Sequence, residues 1–218
     1  MLIYIATTNK NKRIEIENLL KEHLPKENSI VFKTIDSLSK DLQEKYNPEE
    51  NAETFQGNAF IKARALHDLT GENVIAEDSG LEVFSLDKRP GVFSSRYAPT
   101  DKERIEKLLN EIKTTEDNKR AARFVTCLCF IDKFENPVYF FGKTEGLITH
   151  EPKGDKGFGY DPVFYYEPLK KTFAEMTLEE KQSVSHRGKA LRLFLNYLSK
   201  TFHFFFYFLA IGLNFNDF

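Results

Sequence analysis

The chain has 218 residues, enough for one large domain or two small lobes around a real hydrophobic core. Hydrophobic residues make up 41%, charged residues 29%, and the formal net charge is -2, which excludes a dedicated nucleic-acid binder with a strong basic excess. A polyanionic ligand must therefore meet a local cluster of cations.

Leu2 to Ala6 is an apolar run that reads as a buried strand. No basic segment precedes it and no cleavage site follows, so it does not read as a signal peptide. From Asn11 to Leu24, Ile16, Leu19, Leu20 and Leu24 recur at helical spacing, and Pro25 ends the pattern. Ser29 to Ile35 alternates like a strand. Asp36 to Ala52 is polar and acidic and reads as a loop or lid. A helix is expected over Phe55 to Leu69, with Ala59, Ala63 and Leu66 on one face and Gly71 beyond its end. Asn73 to Ala76 reads as a short strand that delivers Glu77-Asp78-Ser79-Gly80 to a turn.

Thr100 to Ile112 carries a further amphipathic helix. Ala122 to Ile131 and Val138 to Ile148 read as long strands of a hairpin-like pair, the first apolar on both faces as in a central strand. Cys127 and Cys129 lie within it and read as buried thiols of a reducing compartment, so a cytoplasmic location is expected. Pro152 to Pro162 is a Gly-rich loop. Thr177 to Glu180 has the form of a capping box, and Arg187 to Leu198 is a last amphipathic helix. Strands alternating with helices and then a hairpin imply an α/β fold with a mixed sheet.

Five constellations hold chemistry-bearing side chains. Thr7, Thr8, Asn9, Lys10, Asn11 and Lys12 join a strand to a helix, where backbone N–H groups and the helix dipole favour an anion. The same residues also suit an ordinary helix cap. Glu77 and Asp78 are adjacent carboxylates that suit a hard cation such as Mg²⁺, or a plain turn. Glu49, Glu50 and Glu53 precede a helix and either offset its dipole or add a metal ligand. Gly154 to Pro162 lets backbone approach a ligand and brings Phe158 and Tyr160 as stacking faces, or is only a flexible loop. Lys181, Ser185, His186 and Arg187 gather donors at a break between helices. Together these supply a phosphate cradle, a carboxylate pair, an aromatic loop and a basic clamp, the set a nucleoside triphosphate needs.

The order and spacing of these motifs resemble the inosine triphosphate pyrophosphatase family, whose bacterial members are called XTP/dITP diphosphatases. The resemblance runs from about Leu2 to Leu198. It rests on Thr7-x-Asn9-x-x-Lys12, Glu49-Glu50, Thr54-Phe55-x-x-Asn58-Ala59-x-x-Lys62-Ala63, Glu77-Asp78-Ser79-Gly80-Leu81, Pro90-Gly91-Val92-Phe93-Ser94-Ser95-Arg96-Tyr97, Gly157-Phe158-Gly159-Tyr160-Asp161-Pro162, Ala174-Glu175-Met176 and Glu180-Lys181-x-x-x-Ser185-His186-Arg187. It implies an α/β protein with a long mixed sheet, two lobes around a cleft, and a homodimer.

The resemblance also implies roles. Asp78 matches the general base and a magnesium ligand, and Glu50 the other metal ligand. Thr7 through Lys12 match the triphosphate-binding turn, and Ser79 a substrate contact. Phe158, Gly159, Tyr160, Asp161, Lys181, His186 and Arg187 match nucleobase and phosphate contacts. The expected reaction is Mg²⁺-dependent hydrolysis of ITP, dITP or XTP to the monophosphate and pyrophosphate, with Lys12 and Lys181 neutralising the leaving group. Residues 1–200 form the expected domain. Residues 201–218 form a Phe-rich tail outside the family pattern, and its run from Phe202 to Leu213 is shorter than the roughly 20 residues that span a bilayer.

Overall fold

Strand β1 (Leu2–Ile5) is buried on both faces, Ile3 and Ile5 to one side and Tyr4 to the other. Such a strand belongs inside a sheet. It pairs in parallel with β2 (Val31–Thr34) and with β3 (Asn73–Val83). Beyond β3 the pairing is antiparallel, through β4 (Ala121–Ile131), β5 (Pro137–Ile148), β6 (Phe164–Tyr166) and β7 (Lys171–Thr172). The result is a mixed seven-stranded sheet in the order β2-β1-β3-β4-β5-β6-β7, the α/β class expected from the alternation of elements. The computed structural model describes residues 1–23 and 30–201 in full and residues 202–210 as backbone.

Helices α1 (Lys10–His23) and α6 (His186–Ala210) cover one face of the sheet. They bury Ile16, Leu19, Leu191, Phe194 and Leu198 against Ile3, Ile5 and Ile75. Helix α3 (Phe55–Thr70) covers the other face through Ala59, Ala63 and Leu66. Thr54 caps its first turn by accepting from the Gly57 N–H, and Gly71 ends it at φ 66°, a left-handed conformation that glycine adopts without strain. A third cluster lies at the far ends of β3 and β4. There Leu81, Val83, Phe124, Phe164 and Phe173 pack under α4 (Asp101–Glu111). Two lobes result, and β3 and β4 run through both.

Several boundaries differ from the sequence reading. β3 does not stop at Ala76 but runs on to Val83, because Leu81 and Val83 enter the third cluster. Gly80 therefore makes no turn. It lies in the strand where a Cβ would come within 2.2 Å of the Gly91 carbonyl oxygen. The acidic stretch from Asp36 to Ala52 is not all loop, since it contains a short helix α2 (Lys40–Lys45) capped by Ser39. The capping box at Thr177 and Glu180 opens α5 (Leu178–Val184). The last helix continues past Leu198 to Ala210, across the boundary drawn at residue 200. The expected helix end at Leu24 and Pro25, the tail's side chains from Phe202 onward and its backbone beyond Ala210 lie outside the described residues.

Candidate functional site

Where β1 and β3 leave the first lobe, a cleft of about 440 Å³ opens toward the second. Its lining brings together the turn after β1, the middle of β3, the Gly-rich loop and the start of α6. All of the residues to which the resemblance assigns a role border it except Lys10, which is exposed outside the lining; the other candidates Glu49, Glu53 and Ser185 also lie outside it.

Glu77 and Asp78 are neighbours on β3, so their side chains point to opposite faces. They cannot share one cation, and the adjacent-pair reading is corrected on that ground. Asp78 faces α3. Its Oδ1 lies 3.3 Å from the Lys62 ammonium, and its Oδ2 accepts a 3.2 Å hydrogen bond from the Asn58 side chain. Glu50 reaches the same ammonium from the loop before α3, with Oε2 at 2.6 Å. The two carboxylates thus converge on one cationic point at the cleft. Two carboxylates, with open cleft on the remaining side for waters and phosphate oxygens, fit the way Mg²⁺ is usually held.

Glu77 faces α1 and α6 and is only 4% exposed. Arg187 donates to it twice at 2.9 Å, Lys12 lies 3.2 Å away, and the Thr126 hydroxyl donates at 2.9 Å. Burial alone would raise its carboxyl pKa, but Arg187 and Lys12 outweigh burial and hold it well below the usual carboxylate range. Arg187 also contacts Glu15 at 2.5 Å, Glu15 contacts Lys181 at 2.7 Å, and Lys181 contacts Asp161 at 2.5 Å. Acidic and basic groups therefore alternate from Lys12 through Glu77, Arg187, Glu15 and Lys181 to Asp161, whose carboxyl burial raises above its ordinary value even beside Lys181. Lys181 is buried, but Asp161 and Glu15 overcome that burial and hold its ammonium charged.

The turn between β1 and α1 is partly self-satisfied. Asn9 Oδ1 accepts the backbone N–H groups of Asn11 at 3.0 Å and Lys12 at 3.1 Å, an arrangement that caps α1. The turn thus serves as a cap, while Thr8 and Lys12 still face the cleft. In the Gly-rich loop, Gly157 sits at φ 75° with no room for a Cβ, which would fall 2.1 Å from Asp161 Oδ2. Phe158 N–H donates to that same oxygen at 2.8 Å. The Tyr160 ring belongs to the third cluster and its hydroxyl donates to the Ser94 carbonyl, so Phe158 alone of the two aromatics is half-buried at the cleft. The Lys181 ammonium lies 4.9 Å from the centre of the Phe158 ring. His186 stacks on Phe124 at 4.7 Å, and its Nδ1 is buried without a hydrogen-bond partner. Burial and then Arg187 push its pKa well down, so it is a neutral imidazole.

Residues 3–197 match the Ham1 family. The chain is 44% identical to the dITP/XTP pyrophosphatase of Treponema denticola, over 88% of this chain and 95% of that one. Against the dITP/XTP pyrophosphatase of Yersinia pestis the identity is 42%, over 90% and 97% of the two chains. The chain belongs to the Ham1 family. Its fold agrees: a HAM1 protein from Coxiella burnetii superposes with a TM-score of 0.81 at 36% identity, over 92% of this chain and 99% of that one. The Staphylococcus aureus Ham1 protein gives 0.79 at 34%, over 92% and 100%.

In this Ham1 cleft, three residues were not given roles by sequence reasoning. Glu15, not singled out by sequence reasoning, is only 7% exposed and bridges Arg187 and Lys181. Its place one residue before Ile16, on the edge of the apolar stripe, was the available signal. Lys62 and Asn58 were visible only as motif letters. Both sit on α3 one helical turn apart, which puts them on one face toward Asp78. Cys127 and Cys129 are buried free thiols whose pKa values burial pushes up to about 12, with the charge of Asp78 adding at Cys127.

Proposed function

We propose that the chain hydrolyses non-standard purine nucleoside triphosphates (ITP, dITP and XTP) to the monophosphate and pyrophosphate. The observation that carries this reading is the convergence of Asp78 and Glu50 on one cationic point, in a Ham1 cleft that also holds the β1–α1 turn. Glu50 and Asp78 would hold Mg²⁺, which when bound neutralises phosphate charge and lowers the pKa of a bound water. Asp78 Oδ1, the oxygen not taken by Asn58, accepts the proton of the water that attacks the α-phosphorus. Lys12 and the turn from Thr7 to Asn11 bind the departing pyrophosphate.

The base stacks on Phe158. Its edge meets the N–H groups that Arg187 and Lys181 keep to spare. An O6 acceptor is satisfied by such donors, whereas the N6 amino group of adenine leaves donor against donor, a mismatch that discriminates strongly. Guanine, which also carries O6, must be rejected at C2. The enzyme is read as a cytoplasmic homodimer, with sedimentation velocity as the check on the dimer. No helix among the described residues is long and apolar enough to cross a membrane.

A triphosphate panel with pyrophosphate detection, run with and without Mg²⁺, tests the whole reading. ITP, dITP and XTP should release pyrophosphate only with the cation. ATP hydrolysed as fast as ITP, or release undiminished by a chelator, overturns it.

A further inference from the structure

Asn58 is fully buried on the first turn of α3, and both ends of its amide are used. Its Oδ1 accepts the backbone N–H of Ala52 at 2.9 Å, in the loop that carries Glu50. A backbone N–H can only donate, so the amide orientation is fixed and Nδ2 must face Asp78, where it donates to Oδ2 at 3.2 Å. One side chain therefore holds a strand residue and a loop residue in register. Glu50 is two residues from the anchored N–H, and its own carbonyl accepts from Arg96 at 2.9 Å.

We propose that Asn58 is the positioning residue of the carboxylate pair. It occupies Oδ2 of Asp78, leaving Oδ1, which also accepts from Lys62 at 3.3 Å, as the oxygen for the cation, and it fixes the separation of Asp78 and Glu50 by tying down the loop before α3. The geometry favours this over a purely packing role. A packing residue at a fully buried helical site needs no polar atoms, and burying an amide is costly unless both ends are paired. Both of its partners belong to the elements that carry the two carboxylates, not to the helix itself. Asn58 touches no substrate in this account. It acts on the cation and the reacting water through Asp78 and Glu50. The inference rests on the reading that this pair holds the divalent cation.

The test titrates nucleotide-free enzyme with Mn²⁺, following free Mn²⁺ by electron paramagnetic resonance, and measures kcat, KM and Tm on the same preparations. The variants are Asn58→Ala, Asn58→Ser, Asp78→Asn and, as a packing control, Leu66→Ala from the same helix core. Both Asn58 variants should lose roughly 10–100-fold in Mn²⁺ affinity, the usual cost of removing a partner that orients a metal ligand. Their kcat should fall, while KM for ITP stays within about threefold. Leu66→Ala should lower Tm without moving Mn²⁺ affinity. If Asn58→Ala and Asn58→Ser bind Mn²⁺ as wild type does and only melt earlier, or if Leu66→Ala loses the same affinity, Asn58 is a packing residue and the inference fails. If Asp78→Asn binds Mn²⁺ as tightly as wild type, the cation-site reading itself fails, a result distinct from the first.

Discussion

Arg187 grips Glu77 with two hydrogen bonds of 2.9 Å, one from Nε and one from Nη2, on the sheet face opposite Asp78. Its Nη2 also reaches Ser79 at 3.1 Å and its Nη1 reaches Glu15 at 2.5 Å. A guanidinium has five N–H donors, and this network takes four of them. Arg187 is therefore first a member of the buried ion chain, with one donor left outside it. The burial of this chain is tolerated because each charge meets an opposite one at close range.

Glu77→Gln should break that balance. Glutamine keeps one acceptor oxygen but turns the other position into a donor facing Arg187 and Thr126, and it removes the charge opposite Arg187 and Lys12. Removing one partner of a buried pair costs about 3–5 kcal/mol, because the other is left uncompensated. Urea unfolding at neutral pH should show a loss of that order. A midpoint within experimental scatter of wild type would mean that the chain does not need Glu77 to stay folded.

Asp78→Asn, by contrast, should spare the fold and remove turnover. The amide is nearly isosteric but is a poor base and a poor ligand for Mg²⁺. A loss of about 10²-fold or more in kcat is expected from removal of a general base. Circular dichroism and Tm measured in parallel separate this from unfolding. Near wild-type turnover at saturating Mg²⁺ would remove Asp78 from the mechanism.

Lys12 and Lys10 lie two apart at the start of α1, and only Lys12 faces the cleft, 3.2 Å from Glu77. Lys12→Ala should raise KM for ITP and lower kcat, by about tenfold or more in kcat/KM, the scale expected when one charge-assisted hydrogen bond is removed. Lys10→Ala should stay within about twofold, as expected for an exposed side chain. Equal and small effects from both would leave the turn as a helix cap alone.

How much of this was legible beforehand varies by residue. The order of elements, the four apolar helical faces and the hairpin β4–β5 followed from periodicity, because each buries an apolar stripe in one of the three clusters. The separation of Glu77 from Asp78 followed less directly. Read as a turn after a short strand, the pair sits together; read as strand, the period of two splits it. The deciding fact was that Leu81 and Val83 are buried in a second lobe, which local pattern does not reveal. Glu15, Asn58 and Lys62 were obscure for a related reason. Their partners lie 172, 20 and 16 residues away at Arg187 and Asp78, and such pairings are set by tertiary packing rather than by neighbours in sequence.

The buried imidazole of His186 gives the last prediction, about stability against pH. Burial, and then Arg187, place its folded pKa well below the unfolded value of about 6.5. Between those two values the unfolded chain binds a proton that the folded chain refuses. Stability must then rise with pH across this window, by about 1.4 kcal/mol per pH unit once the unfolded imidazole is fully protonated. The contribution is intact above pH ~6.5 and is lost as pH falls below it. Glu77 and Glu15 are both held below the usual carboxylate range against their burial, Glu77 by Arg187 with Lys12 and Glu15 by Arg187 with Lys181, and they act with the same sign but only below about pH 4.3, where unfolded carboxylates protonate. Asp161, whose carboxyl burial raises, acts with the opposite sign above about pH 3.9, but it is common to both proteins, so the His186 effect is read as the difference between wild type and a His186 variant. Urea midpoints for wild type should fall between pH 6.5 and 5. In His186→Phe, which keeps a ring to stack on Phe124, this fall should flatten while the steeper loss below pH 4.3 remains. Parallel curves for the two proteins from pH 6.5 to 5 would show that His186 is not a neutral buried group.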